Sequence, residues 1–145
     1  AEYLCLRAPF CLHLGWIICA SAVNANVQFD AAKADASELL AVAVLSFVAI
    51  VAANVALVTT ATNPDAITSL VAAWAFAAVS SELADGELLR SKDRHNWRAW
   101  DPVVTGGLGN AAAGAAVVAV ALGVVALVLP ALRGWRRGKM EATSA

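Results

Sequence analysis

Proton transfer, nucleophilic attack or metal binding in this chain would have to be built from His13, His95, Glu82 and the cysteines Cys5, Cys11 and Cys19. The cysteines stand six and eight residues apart, which is the spacing of neither a CxxC redox pair nor a zinc knuckle. They read as free thiols buried among apolar side chains. A proton relay needs several ionisable groups strung along an apolar stretch, and His13 is the one such group inside such a stretch here. The chain contains no HExxH, no GxSxG, no glycine-rich phosphate loop followed by Lys and Ser or Thr, and no carboxylate pair between apolar residues. The expectation is a protein without catalytic residues or a metal site, and not an enzyme.

Binding chemistry is better represented. His13, Ser21, Asn24 and Gln28 fall within about 80° of one another at about 100° per residue, so a helix would carry them as one polar stripe. Such side chains are costly in an apolar medium and call for another helix, a wet cavity or a ligand. Two readings fit the stripe. One is hydrogen bonding between helices. The other is contact with a tetrapyrrole, because imidazole nitrogen is a good axial ligand for a porphyrin metal and amide oxygens are weaker ones. Trp16 and Trp74 lie well inside apolar stretches, where an indole either packs in a core or walls a pocket. His13, Trp16, Asn24, Gln28 and Trp74 are therefore the ligand-binding candidates, for a porphyrin or chlorophyll, a carotenoid or a lipid. Asn54 reads first as a polar tie between helices.

The elements that must position these residues follow from charge. With 61% hydrophobic and 14% charged residues and a mean hydropathy of +0.71, the chain cannot wrap a core in polar surface. A bilayer crossing needs about 20 apolar residues. Charge-free windows run over 8–29, 39–63, 66–81 and 102–132, and none alternates in polarity as a barrel strand would. The fold class is all-α, a transmembrane bundle of about four spans, near 9–29, 39–62, 65–84 and 107–130, in one membrane domain with a basic tail over 131–145. No nucleic-acid partner is expected, only membrane lipids and other membrane subunits.

Local signals sharpen the ends. Pro9 suits a first helical turn, Ser37 with Glu38 reads as the entry to the second span, and Asn63, Pro64 and Asp65 read as cap, first position and first-turn acid of the third. Spans two and three form a tight antiparallel hairpin. Asp85 and Gly86 offer a stop, and the charged stretch 87–101, with His95, Trp97 and Trp100, suits the headgroup region. The fourth span is expected to end at Pro130. Its Gly107, Ala111, Ala115, Ala119 and Gly123 stand four apart and form a helix-packing ridge of small residues, facing either the bundle or an outside protein. Arg133, Arg136, Arg137 and Lys139 point that end toward cytoplasm, stroma or matrix, with Arg7 and the Pro64 turn on the same side. No signal-peptide pattern is read.

Two segments resemble a known family. Pro9 to Val27, PFCLHLGWIICASAVNANV, resembles a span of the tryptophan-rich sensory protein or translocator protein (TspO) family through Pro9, Phe10, Gly15, Trp16, Ala22 and Asn24. Asp65 to Ala78, DAITSLVAAWAFAA, resembles that family's acid, small pair and apolar run into Trp-Ala. The resemblance covers about half of the chain and implies the later spans of a five-helix bundle, in a divergent or truncated relative without a counterpart of the first span. It implies binding of porphyrins, sterols or other lipids in a tryptophan-lined pocket, with Trp16, Asn24 and Trp74 as the residues that carry over.

Two functions follow as expectations. The first is a non-enzymatic accessory subunit of a photosynthetic or respiratory membrane complex, docked by the small-residue ridge and holding pigment or lipid between helices. The second is a stand-alone TspO-like protein that binds tetrapyrrole or lipid. A thylakoid, a mitochondrial inner membrane or a bacterial inner membrane would suit either.

Overall fold

The structure, a computed structural model, describes residues 7–60, 64–84 and 102–144, with side chains of the last stretch at 103–133 and 135. Cys5, Asn63, Asp85, Gly86, His95, Trp97 and Trp100 lie outside the described residues. Among the described residues there are four helices and no strand: α1 Ala8–Ala31, α2 Ala36–Thr60, α3 Ala66–Ala84 and α4 Pro102–Ser144. Each contains a stretch long and apolar enough to cross a bilayer, that of α4 being Val103–Arg133.

The termini of these helices follow backbone chemistry. Pro9 occupies the first turn of α1, where its missing N–H has no helical partner to lose. At the other end the chain turns through Lys33 at φ 60°. The Ala34 N–H donates to Phe29 O at 3.1 Å and the Lys33 N–H to Asp30 O at 2.9 Å, the two bonds of a Schellman ending. The cap of α2 is Asp35 and not the expected Ser37. Asp35 Oδ1 accepts from the backbone N–H groups of Ser37 and Glu38, both at 2.9 Å, while Glu38 Oε2 accepts from the Asp35 N–H at 3.1 Å. This reciprocal box needs the acceptor three residues before the Glu, and Asp35 holds that place. A parallel correction applies to α3, where Asp65 Oδ1 accepts from the Ile67 N–H at 2.7 Å. Asp65 is thus the cap, with Pro64 before it.

The larger departure is in α4, which runs 43 residues and passes through Pro130 instead of ending there. Proline deletes one helical hydrogen bond and crowds the preceding turn. Ala126, Leu127, Ala131 and Leu132 on either side are good helix formers and carry the helix on.

The helices alternate in direction. Val58 of α2 clusters with Ala66 of α3 and Ala126 of α4, whereas Ile50 meets Ala73, Phe76, Cys19 and Ala119 one layer away. Phe47 and Phe76 meet edge to face at 5.3 Å between centroids, fixing the α2 to α3 register. The closest partner of α3 is nevertheless α4, not α2, so the hairpin expected from the short turn is not the tightest pair. α1 packs on α2 and α3, leaving α1 and α4 at opposite corners. Asn26 Nδ2 donates to Ser46 Oγ at 2.9 Å, Thr68 Oγ1 to Cys11 O at 3.2 Å and Ser80 Oγ to Gly109 O at 3.0 Å, tying α1 to α2, α3 to α1 and α3 to α4.

Candidate functional site

The site grows from one glycine. Gly15 of α1 is buried against α3, and a Cβ there would stand 2.9 Å from Val71 Cβ and 3.2 Å from Thr68 O. Only a residue without a side chain lets the two backbones approach this closely. The approach sets Trp16, the next residue, against Trp74 of α3, with ring centroids 5.9 Å apart and planes tilted by 33°.

Around this pair lies an open groove of about 450 Å³ lined by Leu12, Trp16, Ile67, Leu70, Val71 and Trp74. Residues 67, 70, 71 and 74 recur at the spacing of one helical stripe on α3, and Leu12 and Trp16 are one turn apart on α1. Trp16 is 52% and Trp74 61% exposed, so the groove opens sideways, toward lipid. Neither indole N–H has a hydrogen-bond partner among the described residues, and each remains a donor at the edge of an apolar wall. Below the groove the Arg7 guanidinium lies 3.6 Å from Asp65 Oδ2, an ion pair at the end of the bundle that holds the start of α1 to the start of α3.

Of the five binding candidates the structure brings Trp16 and Trp74 together and leaves the others out. His13, Asn24 and Gln28, with Ser21, are exposed on the side of α1 turned away from Gly15 and Cys19. They line no part of the groove, and the polar stripe does not point into the bundle as its chemistry suggested. The amide that does point inward is Asn26, which the stripe excluded because it lies about 200° from Asn24. Asn54 is 2% exposed, but its Nδ2 donates to Ile50 O of its own helix at 2.9 Å and its Oδ1 has no partner. It ties α2 to no neighbour.

The small-residue ridge is also split. Ala119 and Gly123 are buried and Ala115 is half-buried, Gly123 lying against Ala66 and Leu70 of α3, whereas Gly107 and Ala111 are exposed. Steps of four residues drift by about 40° each, so a row over five such positions winds off the contact. The face that α4 buries is Leu108, Ala112, Ala119, Gly123 and Ala126, a row that follows the true helical period.

Gly15, Leu12, Ile67, Leu70 and Val71 were not singled out as groove residues from sequence. The available signal was the i, i+3, i+4, i+7 stripe ending at Trp74.

Four helices long and apolar enough to cross a bilayer, two of them walling an apolar groove, define the class: a polytopic integral membrane protein. The TSPO-like protein family matches residues 1–129, and the chain belongs to that family. The match extends well beyond the two segments that carry the resemblance, through α2 and most of α4. No curated protein and no solved structure matches the chain.

Proposed function

We propose that this protein is a non-catalytic holder of a flat, largely apolar ligand, a tetrapyrrole, carotenoid, sterol or other lipid, received from the bilayer into the groove between α1 and α3. The observation that carries this reading is the Trp16–Trp74 pair, two exposed indoles held at 5.9 Å at mid-span beside an apolar wall. Indole faces take large ring systems by dispersion and stacking, and their unpartnered N–H groups suit an acceptor such as a carbonyl or carboxylate. The volume lies in the range of about 300–1,000 Å³ usual for small-molecule sites. The lining residues fit the body of a tetrapyrrole but include no nitrogen or sulfur ligand for its metal. The groove therefore suits a metal-free ring or one whose metal is not bound by this wall.

The accessory-subunit reading had its docking surface in the α4 ridge. Ala115, Ala119 and Gly123 of that ridge face α3, so ligand holding comes first.

The test is binding of a metal-free porphyrin and of a fluorescent sterol to the purified protein, read by quenching of indole emission. Trp74→Ala should weaken binding on the order of tenfold, from lost ring contact, while His13→Ala leaves it unchanged. Loss of binding in His13→Ala with none in Trp74→Ala would overturn the groove and return the ligand to the polar stripe. A protein that binds neither probe and migrates with a large assembly on native electrophoresis would favour the accessory subunit.

A further inference from the structure

α4 is longer than the bundle it joins, and its excess is charged. α3 and α4 run antiparallel in fixed register, since Ser80 Oγ donates to Gly109 O at 3.0 Å and Gly123 stands against Ala66 O. Ser80 and Ala66 are as far apart in the chain as Gly109 and Gly123, so the register holds along the pair. Ala126 then meets Val58, close to the end of α2 at Thr60, and Leu129 packs on the same cluster. α1 and α3 both begin at this end, joined by the Arg7–Asp65 ion pair. Among the described residues no other helix accompanies α4 beyond Leu129, yet it continues to Ser144. The overhang is roughly 22 Å at about 1.5 Å per residue.

The ion pair, with Thr59 and Thr60 exposed at the same end, sets the edge of hydrocarbon at this level. Arg133 follows Leu129 by about one turn, roughly 6 Å, and so stands in the headgroup layer, which adds about 5–8 Å to each side of the core. Residues 131–145 hold Arg133, Arg136, Arg137 and Lys139 against one acid, Glu141. At about 100° per residue the four cations occupy an arc of roughly 160°. That spread suits separate phosphates gathered round the helix at one depth. Trp135, 61% exposed, lies half a turn from Ala126, on the outer side of α4. An indole at this depth sits well among headgroups. We propose that the end of α4 is a binding surface for anionic phospholipid headgroups, in the leaflet that holds the Arg7–Asp65 end. Guanidinium pairs with phosphate oxygens through parallel N–H groups, while its apolar stem lies along hydrocarbon. Phosphatidylcholine presents the same phosphate with a cation attached, so net negative charge is what the cluster selects.

The test uses the full chain in phosphatidylcholine membranes that carry a trace of spin-labelled phosphatidylglycerol or phosphatidylcholine, and reads the lipid immobilised on the protein. Each cation near an anionic lipid is worth roughly fivefold in association, but only the lipids at α4 feel it. The immobilised population should therefore favour phosphatidylglycerol on the order of twofold at low salt. Near about 1 M salt, where charges act over only about 3 Å, it should show parity. Arg133→Gln with Arg136→Gln, Arg137→Gln and Lys139→Gln should give parity already at low salt, with unchanged circular dichroism. The pair Arg136→Gln and Arg137→Gln, both beyond the bundle, should remove about half of the preference. Lys33→Gln, at the opposite end, should keep all of it. Parity in the wild type at low salt would overturn the proposal. So would a preference that survives the four changes or vanishes in Lys33→Gln. Polyglutamate that binds the chain in phosphatidylcholine and resists displacement by phosphatidylglycerol would also overturn it, and would assign the surface to an acidic protein.

Discussion

Gly15 shows how much one missing side chain decides. Its absence of a Cβ brings α1 onto Val71 and Thr68, and that approach is what pairs Trp16 with Trp74. Gly15→Leu should force the helices apart at a cost of about 1–3 kcal/mol, seen as lower unfolding resistance in mixed micelles together with a changed indole emission. Unaltered emission would mean that the pair does not depend on the close approach. Asn54 makes the opposite case. Its Oδ1 is buried with no partner, an arrangement that costs about 1–3 kcal/mol. Asn54→Leu, similar in size and fully apolar, should raise stability by about 1 kcal/mol in the same assay. A loss of stability would show that the amide has a partner in the membrane after all.

Backbone chemistry delimits the helices, and the sequence signals placed the caps of α2 and α3 two residues away from Asp35 and Asp65. The cap of α2 is Asp35 because Glu38 closes the box from three residues downstream, and Asp35→Ala should cost about 1 kcal/mol. Lys33 pays the left-handed penalty at the end of α1 that glycine avoids. Lys33→Gly should therefore stabilise by about 1 kcal/mol. Chemical unfolding of the two single variants checks both signs, and a destabilised Lys33→Gly would mean that the turn relies on the lysine side chain. In α4, Pro130 is a stop signal that the helix passes through.

At the scale of the molecule, the alternating helices put Arg7, Asp65 and Arg133 at one end and Lys33 at the other. In sealed vesicles an impermeant thiol reagent should therefore label Arg7→Cys and Arg133→Cys from the same side, in a cysteine-free background, and Lys33→Cys from the opposite side. Labelling of Arg7 and Arg133 from different sides would refute the four-span topology. That topology, the all-α class and the membrane as solvent were legible in the sequence, because charge-free windows of bilayer length leave few alternatives. The two tryptophans were legible too, as indoles set in apolar stretches. Which faces meet was not. The polar stripe of α1 is a correct statement about one helix, but His13, Asn24 and Gln28 turned outward because Gly15 and Cys19 give the opposite side the closer fit to α3. The ridge of α4 is split for a related reason, Ala115, Ala119 and Gly123 lying in the bundle while Gly107 and Ala111 turn out of it, since a four-residue step drifts off a packed face. Periodicity and charge determined the helices and their membrane. The choice of face depends on close packing between segments far apart in the chain, and that was decided only when the helices assembled.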